Sequence, residues 1–176
     1  MAQRLGPPDA GSLSAETREL LALTALHGRP PATIEMLTHQ ERLVGPFLTW
    51  AAALARSGRL PARDHELLAL RTAHLLDSPF EWHEHAQFAR SAGLSAAEIK
   101  AVERGPDAPA WVASDRTLLL AADQLVRDGR VSDEAYAALT EYYDPAELVE
   151  IPLVVGQYAM LSMLTGFFAI PVTHNE

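Results

Sequence analysis

The chain has no cysteine at any of its 176 positions, which excludes disulfides, thiolate metal sites and cysteine-based redox or nucleophilic chemistry. It is also poor in basic residues, with 14 Lys and Arg against 23 Asp and Glu and a formal net charge of −9. Nucleic acid and anionic membrane surfaces need clustered cations, and the only loose pairing here is Arg56 with Arg59. Neither nucleic acid nor membrane is therefore an expected partner. Strand-like alternation is nearly missing, and the opening MAQRLGPPDAGSLS has no apolar run of the kind a secretory signal needs, which points to a cytoplasmic protein.

A hydrophobic content of 48% is enough for a real core, and the length suits one domain over 1–176, with residues 1–12 as a flexible arm. Seven histidines stand out, since imidazole titrates nearest neutrality. The stretch IPLVVGQYAMLSMLTGFFAIPV, 151–172, carries no charge across 22 positions. Gln157, Pro152, two glycines and the lack of flanking Lys or Arg anchors read against a bilayer span and for a helix covered by protein.

Helix signals run through the chain. Expected helices cover Leu13 to His27, capped by Ser12 or Ser14 and ended by Gly28, then Thr33 to Leu43, and Pro46 to Ser57. Pro61 opens a helix through Leu76 that is apolar around most of its circumference and so belongs at the centre. Further helices are expected over Pro79 to Ala92, from a Ser95 to Glu98 capping box to Gly105, and near Ser114 to Arg127, Ser132 to Tyr142 and Pro145 to Ile170. The fold class is all-α.

Two echoes suggest two diverged copies of a helical hairpin. LARSGRL at Leu54 to Leu60 returns as LVRDGRV at Leu125 to Val131, and SPFEW at Ser78 to Trp82 returns as DPAEL at Asp144 to Leu148. Each of the latter has a capping residue, proline at the first helical position and glutamate three after the cap. On that pattern Ser78 and Glu81 satisfy free N–H groups at a helix start, while Glu81 stays open to a second role. Four residues after the glutamate, one copy has His85 where the other has Ile151.

On a helical wheel Glu81, Trp82, His85, Ala86, Phe88 and Ala89 share an inward arc, and His83, Glu84, Gln87 and Arg90 point to solvent. A buried imidazole needs a hydrogen-bond partner, which Glu81 or Glu66 can supply. Two carboxylates converging on one imidazole set up a general acid and base near neutrality. The Glu81/His85 spacing also suits a divalent metal, but two ligands one turn apart do not make a site without a third; a metal held by Glu66, Glu81 and His85 together is a further alternative, and no metal is assigned. His74 reads as structural.

The run GRLPARDHELLALRTAHLLDSPFEWHEHAQFARSAGLSAAEIKAV, 58–102, resembles the carboxymuconolactone decarboxylase and alkylhydroperoxidase D superfamily of helical bundles, and VVGQYAMLSML extends the likeness. The resemblance implies that the peroxidase branch's two cysteines fall on Ser78 and Glu81, and its glutamate and histidine relay on Glu66 and His85. The relay is present without the redox pair, which argues against thiol peroxidase activity. The decarboxylase branch's Glu-x-x-x-His is matched by Glu81 and His85 and implies a cofactor-free lyase reaction on a small carboxylated or enolisable substrate. In that reading His85, Glu66 and Glu81 are catalytic, while Arg71, Trp82 and Ser78 contact substrate. Arg71 serves equally well as the ion partner of Glu66 or of a neighbour. The family likeness also implies a homo-oligomer, trimer or hexamer. The alternative is a non-catalytic oligomeric binding or scaffold protein on the same fold.

Overall fold

The structure, a computed structural model, describes residues 2–25 and 29–172. It is all-helical: α1 (Ala15–Thr24), α2 (Ala32–Leu37), α3 (Glu41–Arg56), α4 (Ala62–Leu75), α5 (Pro79–Ser91), α6 (Ala96–Val102), α7 (Ala113–Asp128), α8 (Asp133–Leu139) and α9 (Pro145–Phe168). The first helix has its cap at Ser14, whose hydroxyl accepts from Thr17 N–H. Its expected end at His27 and Gly28 lies outside the described residues. The expected break before Pro46 is corrected: α3 starts five residues earlier and carries Pro46 in its second turn, giving up one backbone hydrogen bond for a longer amphipathic face.

The centre of the bundle is α4, which packs against α5, α7 and α9. Its Leu67, Leu68 and Leu70 are fully buried, as are Leu118 and Leu119 of α7 and Val154 of α9. A smaller cluster of Met36, Phe80 and Ile170 joins the N-terminal helices to the ends of α5 and α9. The N-terminal arm is tied down at Arg4, whose backbone N–H and guanidinium donate to the carbonyls of Phe168 and Phe167 at 2.9 and 2.7 Å. At the other end of α9, Glu150 accepts from the backbone N–H groups of Arg59 and Leu60, holding the chain as it enters α4.

Asp115, 4% exposed, and Asp123, 5% exposed, each take an arginine of α4. Arg63 pairs with Asp115 at 2.7 Å and with Glu98 at 2.8 Å. Arg71 is gripped by Asp123 through two nitrogens, at 2.5 and 3.0 Å, and donates to the carbonyls of Val102 and Glu103. The guanidinium lies directly over Gly105, where a Cβ would come within 2.5 Å of Nη2 and the backbone is left-handed at φ +73. This close approach is why the loop after α6 needs glycine there.

Gly93, also left-handed at φ +97, has open space where a Cβ would go. Gly93→Ala is expected to cost about 1 kcal/mol from backbone conformation alone. Gly105→Ala is expected to cost about 3 kcal/mol or more, because the new methyl group displaces a charge from its buried partner. Urea denaturation of both variants measures the difference, and equal costs would show that the Arg71 cradle carries no weight.

Candidate active site

The site is built by one tight reversal. At the end of α4 the Ser78 N–H donates to the Ala73 carbonyl and the Asp77 N–H to the His74 carbonyl, with Asp77 left-handed at φ 49. This is the Schellman pattern, and it leaves only Leu76, Asp77 and Ser78 between the two helices. α5 therefore folds straight back along α4, and its second turn returns to the level of Glu66.

The expected cap at Ser78 and Glu81 is not made. Ser78 has φ −104 and ψ 87 with no side-chain cap, and its hydroxyl instead lies 3.2 Å from Thr165 Oγ1 of α9. Its counterpart Asp144, at φ −73 and ψ 167, forms the complete capping box with Glu147. The Schellman turn has already fixed the Ser78 backbone, so the first-copy glutamate is turned inward, where its side chain is 4% exposed.

There Glu81, Glu66 and His85 converge. His85 Nδ1 donates to Glu66 Oε2 at 2.7 Å, and His85 Nε2 faces Glu81 Oε2 at 3.8 Å, beyond hydrogen-bond range. The Glu66 contact keeps the imidazole proton on Nδ1 and leaves Nε2 as the free nitrogen. Burial pushes the Glu81 carboxyl up to about 7, helped by Glu84 and opposed by His85. Glu81 Oε1 is buried without a hydrogen-bond partner. A carboxyl pushed up toward neutrality and the second ring nitrogen of a histidine held by Glu66 thus stand opposite one another.

Two further residues belong to this cluster and were not anticipated. The Tyr158 ring meets the His85 ring edge-on at 4.3 Å, and its hydroxyl is 2.8 Å from His65 Nε2. Burial lowers the His65 pKa and raises that of Tyr158 well above its ordinary value, so both are neutral around neutral pH. The available signals were a histidine next to Glu66 in a largely apolar helix and a tyrosine in the uncharged stretch 151–172.

Arg71 lies away from the cluster. Five residues separate it from Glu66, about 140° around α4, and Asp123 and two carbonyls take up its guanidinium. The reading of Arg71 as a substrate contact is corrected to a structural one. Trp82 is half-buried against the core with its ring tilted toward His74 at 6.1 Å. His74 itself is exposed rather than structural, Phe88 is 40% exposed with its ring 5.5 Å from that of His85, and His83 and Glu84 are partly buried.

The raised Glu81 pKa has a signed consequence. An acid that binds its proton more tightly folded than unfolded stabilises the fold fully below its unfolded value of 4.5, and that contribution is lost as pH rises through about 7. The shift corresponds to on the order of 3 kcal/mol. Wild-type stability should therefore fall between about pH 5 and pH 8, and Glu81→Gln, neutral throughout, should flatten the fall. Denaturant titrations across that range test this, and parallel pH profiles would mean that Glu81 is ionised throughout in the folded protein.

Residues 46–124 match the carboxymuconolactone decarboxylase family. A search of curated proteins finds no match. Among solved structures, the chain is similar to a peroxidase-related protein with an alkylhydroperoxidase AhpD core from Ralstonia eutropha JMP134, with TM-score 0.84 and 15% identity over 97% of this chain and 92% of that one. A peroxidase-related protein from Silicibacter sp. TM1040 gives TM-score 0.85 and 15% identity over the same shares. The debrominase Bmp8, as a cysteine-to-alanine variant in complex with 2,3,4-tribromopyrrole, gives TM-score 0.82 and 12% identity over 98% of this chain and 93% of that one.

Proposed function

With residues 46–124 in the carboxymuconolactone decarboxylase family and the whole chain on the AhpD-like fold, we propose that the protein is an acid–base enzyme acting on a small carboxylated or enolisable substrate. No cysteine is present for the thiol chemistry of the peroxidase branch. The observation that carries the reading is the opposition of His85 Nε2 and Glu81 Oε2 at 3.8 Å, with Glu66 holding the other ring nitrogen.

In this mechanism Nε2 takes a proton from the carbon next to a carbonyl, and the electron pair moves onto the carbonyl oxygen. Glu66 stabilises the imidazolium that forms. Protonated Glu81 donates to the oxygen as its charge develops, then recovers the proton when the enol collapses. In the decarboxylation variant Nε2 takes the proton of the substrate's own carboxyl group, carbon dioxide leaves as the electron pair moves onto the neighbouring carbonyl oxygen, and the imidazolium returns that proton to the carbon. No cofactor is needed to balance either sequence.

Deuterium wash-in at the α-carbon of small ketones and 1,3-dicarbonyl compounds, followed by proton NMR, tests this without knowledge of the natural substrate. Wild-type protein should accelerate exchange for at least one compound, and His85→Ala should lose roughly a hundredfold or more while keeping its helical circular dichroism. Exchange at the buffer rate across the panel, or an undiminished variant, would leave the non-catalytic binding role as the reading of the fold.

We also propose that a second copy of the chain covers α9. This helix is long and apolar enough by length and composition to cross a membrane, yet Ile151, Val154, Val155 and Tyr158 are buried in the bundle. Its other side shows Val149, Leu153, Gly156, Met160, Met163 and Phe167, a regular four-three spacing, with Met163 65% and Phe167 69% exposed. That spacing is the seam of a helix packed against a like helix, and its lack of charge suits a self-complementary contact. Light scattering at micromolar concentration should give a multiple of the chain mass, and Met160→Glu with Met163→Glu should reduce it to the monomer. A monomeric wild type would end this proposal.

A further inference from the structure

The junction of α4, α5 and α9 holds polar groups that the proton chemistry does not fully occupy. Among the described residues, Thr72 Oγ1, Glu81 Oε1, Gln157 Oε1 and Ser162 Oγ are buried without a hydrogen-bond partner. Helix register brings three of them to one level. Two contacts fix the register of α5 against α9, the capping position Ser78 with Thr165 and His85 with Tyr158. Glu81 lies about one turn from both Ser78 and His85, and Ser162 about one turn from both Thr165 and Tyr158, so the two are bracketed by the same pair of contacts.

Thr72 arrives at this level from the third helix. It is seven residues beyond His65, on the α4 face that meets Tyr158, and the next residue, Ala73, accepts the Ser78 N–H. Exposure is 0% for Thr72, 3% for Glu81 and 5% for Ser162. A carboxyl oxygen and two hydroxyls, each able to accept a hydrogen bond, thus sit one turn deeper than the His85 imidazole.

The charges around this layer oppose an anion. The α4 guanidiniums of Arg63 and Arg71 are committed to Asp115, Glu98 and Asp123. The groups nearest the layer are the carboxyls of Glu66 and Glu81, the His85 imidazole already bonded to Glu66, and the His65 imidazole taken up by the Tyr158 hydroxyl. A bound carboxylate would be taken from water into the company of two carboxyls, with no guanidinium to receive it.

We infer that the Thr72, Glu81 and Ser162 layer is the inner end of the substrate site and takes the hydroxyl or N–H of a small neutral molecule in preference to a carboxylate. This rests on the acid–base reading of His85 for its place in the site, and it narrows that reading to the enolisable, uncharged class of substrate. The bound group donates to Glu81 Oε1 and exchanges hydrogen bonds with the two hydroxyls, satisfying atoms that otherwise stand alone. Specificity then arises from leaving a wrong ligand's charge unpaired.

Phenol, which is neutral, and benzoate, an anion on the same ring, are the probes, with affinity read by NMR titration and no turnover required. Phenol should saturably shift the Thr72 and Ser162 resonances and bind about tenfold more tightly than benzoate. Thr72→Val, which keeps the side-chain shape, and Ser162→Ala should each weaken phenol several-fold with melting temperature retained, and Glu81→Gln should close the gap between the two probes. The inference is overturned if benzoate binds as well as phenol, if neither saturates and the layer holds water alone, or if folded variants bind phenol unchanged. Loss of the exchange activity with phenol selectivity intact would instead remove the acid–base reading and leave the subsite.

Discussion

The hydrogen bond from Ser78 N–H to the Ala73 carbonyl sets the terms for the whole site. It closes α4 within the span of three residues and forces α5 to return antiparallel along it, so that a histidine nineteen positions after Glu66 reaches that carboxylate at 2.7 Å. A longer connection would satisfy the same helices but would not fix their register. The turn is made with Asp77 in the left-handed region rather than glycine, a modest backbone cost accepted at the point where register matters most.

The same turn explains why two helices with one sequence pattern differ in chemistry. In α9 the glutamate three after the cap stays at the surface, partly exposed, and completes its box, and the Asp144 backbone N–H donates to it at 2.7 Å. In α5 the cap residue is already held by the preceding helix, so its hydroxyl and the glutamate are both released for contacts across the bundle. Consistency between local rules and global fold holds through most of the chain and fails here. The failure leaves an unpartnered buried carboxyl oxygen, which no stability argument favours and which a binding site can use.

What could be read in the sequence follows from how local its causes are. The Ser95 to Glu98 and Asp144 to Glu147 boxes, the Pro61 start of α4 and its central position were legible because each depends on a few neighbours or on one helix's periodicity. Glu66 was legible as one of two carboxylates able to bond His85, and only spacing shared with a known family singled it out over Glu81. Arg71 was not, since Asp123 lies 52 residues away and nothing local assigns a cation to one carboxylate over another. Tyr158 and His65 were hidden because an apolar helix reads the same whether its one tyrosine fills space or lines a site. Pro46 does not mark a helix start, because the apolar pattern on both sides of it continues as one longer face.

Glu81 shows which physical effect decides at the site. A carboxylate in the first turn of a helix is normally favoured by the free N–H groups and the helix dipole, worth up to about 2 kcal/mol in good geometry. Burial without a partner works in the other direction, and it raises the carboxyl from 4.5 to about 7, a difference on the order of 3 kcal/mol. Desolvation wins, and the carboxyl at the position where the peroxidase-branch resemblance sets a cysteine is shifted toward its protonated form. One buried side chain is thereby enough to reverse the preference for an anion that a helix start normally creates.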